Sequence, residues 1–95
     1  MRHTYLVTYD ISSSRRLQKV FRTMRGFGVH IQYSVFLCDL TPRDRVRLER
    51  VMKELIDNKE DQILVIRLGP AKGQASTRIE SIGRPYVTSM CTNIV

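Results

Sequence analysis

Ninety-five residues are enough for one two-layer hydrophobic core and too few for a second. Sixteen Lys and Arg against nine Asp and Glu leave a formal charge of +7, an excess that favours polyanions, chiefly nucleic acid. No apolar run approaches the roughly 20 residues of a membrane span, and the N-terminus lacks the charged-then-apolar layout of a signal peptide, so no membrane partner and an intracellular location are expected.

Residues 3–10 are rich in Tyr, Val and Thr and predict a first strand that ends at Asp10. Ser12, Ser13 and Ser14 then supply helix N-cap candidates. Leu17, Val20, Phe21 and Met24 recur at the three-and-four spacing of a helix face, and Gly26 and Gly28 close that helix. Residues 30–39 (HIQYSVFLCD) read as extended, but the run is long for one strand in so small a domain, and a break near Tyr33-Ser34 would make it two. Thr41-Pro42 with Asp44 looks like the start of a second helix, whose buried stripe is Leu48, Val51, Met52 and Leu55 and which ends at Asp57-Asn58. Residues 61–69 predict the next strand, 71–76 a flexible stretch, and 77–82 a short last strand stopped at Gly83.

With the break, the order is βαββαβ, an α+β ferredoxin-like plan with an antiparallel sheet and both helices on one face. The domain is expected to span residues 1–83, with 84–95 as a tail. Adjacent apolar residues, Leu6-Val7 and Leu64-Val65-Ile66, leave no wet face for the sheet. The second face therefore predicts a cover, most simply a second copy of the chain or the tail, and a homodimer through the sheets is expected.

Asp10 is the last acid before a long gap: residues 11–38 contain no Asp or Glu, but they do contain Arg15, Arg16, Lys19, Arg22 and Arg25. On a helical wheel these five bases form one arc opposite the apolar stripe. The second helix, by contrast, pairs its charges, as in Glu49 with Lys53 and Arg50 with Glu54. The arc reads as a track for phosphate backbone, and Arg43, Arg45, Arg47 and Arg50 extend it. The tyrosines and phenylalanines mostly sit in core-like positions, so no aromatic-rich platform for stacking unpaired bases is expected, and duplex binding through the backbone is. Asp10 itself has two readings: a ligand for a divalent cation, or a cap for the helix that follows. Cys38 and Cys91 have no ligand spacing, which argues against zinc, and Cys38 reads as a small buried hydrophobe. His3 and His30 are isolated strand-end residues.

The strings YDISSSRR and QYSVFLCDL together resemble the small CRISPR adaptation subunit, CRISPR-associated protein two, over nearly the whole chain. The resemblance implies a prokaryotic, cytoplasmic, ferredoxin-like homodimer. Such a dimer binds duplex DNA and bridges units of the integrase, CRISPR-associated protein one, during spacer acquisition. It also implies an alternative activity, a metal-dependent endonuclease acting on RNA or double-stranded DNA. In that activity Asp10 of each subunit is the catalytic residue and holds magnesium, or manganese, at the interface. Arg15, Arg16, Lys19 and Arg22 would bind nucleic acid, and Tyr9, Ser34 and Phe36 would support the site, Phe36 as a packing aromatic at the dimer core. Many relatives carry an acid in the loop after Asp-Ile. Here Ser12, Ser13 and Ser14 stand in that loop, which weakens the nuclease reading and leaves the binding reading intact. The tail would serve as an extra strand at the dimer or integrase interface.

Overall fold

A computed structural model describes residues 1–71 and 79–85. The element order is β1 (His3–Asp10), α1 (Ser14–Met24), β2 (Val29–Gln32), β3 (Val35–Leu40), α2 (Pro42–Leu55) and β4 (Gln62–Pro70). The four strands form one antiparallel sheet in the order β2-β3-β1-β4. This is the expected βαββαβ plan.

The long extended run does divide between Gln32 and Val35, through Tyr33, whose backbone is left-handed at φ 42°. That turn reverses the chain so that β2 and β3 pair, Val29 with Leu37 and His30 with Phe36. The expected last strand falls partly on residues outside the described ones, and its described part, 79–82, forms no strand. Alternation over those few positions was a weak signal beside Gly83, which has φ 96°, and the adjoining Pro85. The tail expected to add a strand lies outside the described residues from 86 onward.

Each helix starts as its local sequence dictates. Ser13 is extended and its hydroxyl accepts the Arg16 amide at 3.3 Å, capping α1. Thr41 does the same for the Asp44 amide at 3.1 Å, with Pro42 in the first turn and Asp44 at the positive end of the dipole. Met24 and Leu55 end the two helices slightly earlier than the glycine and Asp-Asn signals suggest.

One core joins the layers. Val20 and Met24 of α1 and Leu48 and Met52 of α2 pack on Val7, Tyr9, Phe36, Cys38 and Leu40, so both helices cover the same sheet face. Gly28 lets the chain entering β2 press against β3. A Cβ there would overlap the Leu37 carbonyl oxygen and the Cys38 sulfur. Burial pushes the Cys38 thiol up to about 12, with the Asp39 charge adding to the shift, so the residue is an inert packing group as expected.

The opposite face carries the partners of the other register. Leu6 pairs with Leu37 and with Ile66, and Thr8 pairs with Val35 and with Leu64. Among the described residues nothing covers its β4 side, where Leu64 and Ile66 are 48% and 43% exposed. This is the apolar second face that the sequence predicts.

Candidate functional site

Asp10 is the last residue of β1 and pairs with Gln62 at the start of β4. Side chains alternate along a strand, so Asp10 shares its face with Thr8 and Leu6, the open apolar face, while Val7 and Tyr9 point into the core. It is exposed and makes no hydrogen bond or ion pair among the described residues. The capping reading of Asp10 is therefore corrected: Ser13 holds that position, extended one residue before the helix with its hydroxyl accepting the Arg16 amide.

Beside it stands a second carboxylate that sequence reading treats only as the start of a strand. The Asp61 side chain is 0% exposed and accepts five hydrogen bonds. Arg16 donates from Nε at 2.7 Å and from Nη2 at 3.2 Å, Ser12 from its amide at 3.0 Å and its hydroxyl at 3.1 Å, and Asp57 from its amide at 2.8 Å. The Arg16 guanidinium, outweighing the burial, holds this carboxyl well below the usual carboxylate range. The same pairing raises Arg16. A buried charge is tolerable only when its lone pairs are satisfied, and here they are. The network joins the loop after Asp10 to the beginning of β4.

Two expectations change as a result. Arg16 belongs to the acid-free arc by helical position, yet it is turned into this network rather than left as an unpaired phosphate contact. The wheel shows only a helix's own charges, and the acid that claims Arg16 lies 45 positions away. Ser12 is also committed: its hydroxyl lies 3.1 Å from Asp61 Oδ1 and 3.3 Å from Glu60 Oε1, and it receives Arg16 Nη2 at 3.2 Å.

Arg15, Lys19 and Arg22 remain exposed on α1 with no ion pair among the described residues, and Arg25 lies over the Phe21 ring at 5.9 Å. On α2 three bases are engaged, whereas Arg43 and Arg50 are exposed with no ion pair among the described residues, so the expected Arg50–Glu54 pair does not form. Glu49 joins Arg45 at 3.2 Å and Lys53 at 3.0 Å, and Arg47 stacks over Phe27 at 4.6 Å.

Tyr9, Ser34 and Phe36 come together behind Asp10. The Tyr9 amide donates to the Ser34 carbonyl at 3.1 Å, and its ring stacks on Phe36 at 6.3 Å. Burial raises the Tyr9 pKa and the Ser34 hydrogen bond partly opposes it. Phe36 is fully buried under the helices, with Phe21 at 5.7 Å and His30 at 5.0 Å. It is thus a core residue of the protomer and not an aromatic on the open face, because its strand phase matches Val7 and not Leu6.

A hard divalent cation takes oxygen ligands, commonly one or two carboxylates with water and phosphate oxygens completing the shell. Asp10, exposed and unengaged, fits as one such ligand. Among the described residues no group of three or more His, Cys, Asp or Glu side chains gathers into a metal site.

The family described as CRISPR associated protein Cas2 matches residues 2–75. The chain belongs to the Cas2 family. It is 38% identical over 86 residues to a protein of Geobacter sulfurreducens named CRISPR-associated endoribonuclease Cas2, covering 90% of each chain. It is 32% identical to one of Halalkalibacterium halodurans named CRISPR-associated endonuclease Cas2, covering 82% of this chain and 83% of that one. The crystal structure of Streptococcus pyogenes Cas2 superposes with a TM-score of 0.68 at 30% identity, covering 84% of this chain and 99% of that one. A hypothetical protein from Thermus thermophilus superposes with a TM-score of 0.74 at 28% identity, covering 94% of this chain and all of the other. Within this Cas2 fold, no helix among the described residues is long and apolar enough to cross a membrane.

Proposed function

We propose that this Cas2-family chain is a CRISPR adaptation subunit: a homodimer, closed through the open sheet faces, that binds duplex DNA along α1 and bridges units of the integrase CRISPR-associated protein one. The observation that carries the binding role is the row of exposed cations Arg15, Lys19 and Arg22, none matched by an acid among the described residues. Backbone contacts of this kind release counterions, so affinity falls steeply with salt. Charge reversal at Arg15, Lys19 and Arg22 together is expected to weaken duplex binding and to flatten the plot of log affinity against log salt by about one unit per lost phosphate contact. Arg16 is left intact in that variant because it holds Asp61. Unchanged binding with an unchanged salt slope overturns the reading.

The exposure of Asp10 on the open apolar face supports a second reading, a magnesium-dependent endonuclease. Two copies docked through that face would each contribute one carboxylate, a number sufficient for a cation that also takes substrate phosphate. Magnesium or manganese bound there would supply charge stabilisation at a scissile phosphate and a lowered pKa for water. The chain's own part is to hold the ion through Asp10 and flanking phosphates through Arg15 and Arg22. Neither histidine is placed as a base: His3 is at the other end of β1, and His30 Nε2 is engaged by the Tyr33 carbonyl at 2.7 Å. Duplex DNA and single-stranded RNA, each incubated with magnesium or chelator, separate the readings. Cleavage lost in Asp10→Ala supports the nuclease, whereas binding without cleavage, equal in both proteins, supports the architectural subunit.

A further inference from the structure

The tip of the β2–β3 turn carries a feature that neither role above uses. Tyr33 is 86% exposed and sits at φ 42°, a backbone region that glycine or asparagine occupies without strain and a bulky side chain rarely does. The tip is nevertheless held firmly. His30 donates from Nε2 to the Tyr33 carbonyl at 2.7 Å, a role set by the carbonyl's being only an acceptor. The His30 ring is itself seated against Phe21 and Phe36, each at 5.0 Å. On the other side, the Ser34 carbonyl accepts the Tyr9 amide at 3.1 Å. A rigid, strained turn thus presents an aromatic ring to solvent. Tyr5 is half-buried with Arg45 over its ring, and Tyr9 is in the core, so among the described tyrosines Tyr33 is the most exposed.

The place matters as much as the ring. Thr8 pairs with Val35 and Tyr9 bonds to Ser34, so the turn stands at the end of the sheet where β1 delivers Asp10. We propose that Tyr33 is a stacking contact for an unpaired nucleobase of a single strand, RNA or DNA, whose backbone lies along Asp10 and the α1 cations. The proposal rests on the nucleic-acid reading above and adds to it a preference for unpaired bases. An aromatic ring with few rotatable bonds, already fixed in position, loses little entropy on stacking, and every base offers a π face. Bases paired within a duplex keep their faces occupied by their neighbours.

The test measures binding in chelator, so that cleavage plays no part, with labelled single strands of RNA and of DNA of about 12 nucleotides. The same strands with abasic positions and a long blunt duplex complete the set. Tyr33→Ala and Tyr33→Asn should weaken single-strand binding by about tenfold, the loss of one base–aromatic stack, and Tyr33→Phe should retain it. Duplex binding and binding of the abasic strands should be the same in all four proteins. A loss confined to RNA or to DNA identifies which single strand uses the ring. Tyr33→Asn relieves the backbone, so a weakened but equally stable Asn variant assigns the effect to the ring and not to folding. Single-strand affinity equal in wild type and Tyr33→Ala, an equal loss on abasic strands, or no single-strand binding by the wild type overturns the proposal. If Tyr33→Ala loses single-strand affinity while the Arg15, Lys19 and Arg22 variant keeps its duplex affinity and salt slope, the electrostatic reading fails and the stacking contact stands. The reverse result separates them in the other direction.

Discussion

Asp10 and Asp61 flank one strand pairing, since Asp10 lies opposite Gln62, yet the fold treats the two carboxylates in opposite ways. Asp61 is withdrawn from solvent, surrounded by donors from α1, the β1–α1 loop and the turn before β4, and held in its charged form by Arg16. Asp10 is exposed with no partner among the described residues, on the sheet face whose β4 side is open. One acid organises the backbone on which the other is displayed. A family comparison by residue type alone would not separate them, because both stand at strand ends.

The contrast breaks first at Asp61. Asp61→Ala leaves the Arg16 guanidinium and the Ser12 and Asp57 amides without their acceptor. The melting temperature by circular dichroism should fall by about 10 °C or more. Arg16→Ala should lower it less, because the backbone donors still reach Asp61.

The pH dependence sharpens the same contrast. Asp61 is lowered from an ordinary value of 3.8, so its contribution to stability is fully present above that value and is lost as the pH falls toward its depressed folded value. The exposed Glu49, lowered chiefly by the Lys53 hydrogen bond, acts in the same direction but is screened by solvent. Melting temperatures measured from pH 6 down to about pH 2 should drop steeply in the wild type and less so in Asp61→Asn. An acid limb of equal slope in both would place the lost stability elsewhere.

The smallest effect on folding belongs to Asp10. Asp10→Asn should change unfolding free energy in a urea titration by no more than about 0.5 kcal/mol, as for an exposed side chain without partners. A loss comparable to that of Asp61→Ala would mean that Asp10 is structural and that the division of labour is wrong.

The fold was legible where one local signal decided it. Ten extended residues were too many for one strand, Ser and Thr stood before amphipathic runs, and apolar neighbours in β1 and β4 exposed the second sheet face in advance. Cys38 was readable as a packing residue because strand phase put it with Phe36 and Leu40. What escaped was tertiary. Arg16 resembles Arg15 and Lys19 on the wheel because a wheel cannot see an acid reaching in from the turn before β4. The exposure of Tyr33 also depends on the turn, which takes its side chain out of the alternation of the strands on either side. The break near Tyr33-Ser34 was the available signal: a residue at a turn tip need not follow the alternation on either side. Phe36 was assigned to the wrong layer for a related reason, since its phase relative to Leu6 or Val7 depends on the register between β1 and β3.

The close contact at Gly28 bears on genetics. A methyl group there meets a carbonyl and a sulfur from the neighbouring strand, both inside the protein. An alanine allele would therefore disturb how the hairpin seats on its neighbours while every exposed cation, Asp10 and Tyr33 keep their chemical identity. Such an allele should be conditional, functional in the cold and inactive when warm, and would let the chain be withdrawn from a living cell by a temperature shift without replacing any residue of its exposed surface.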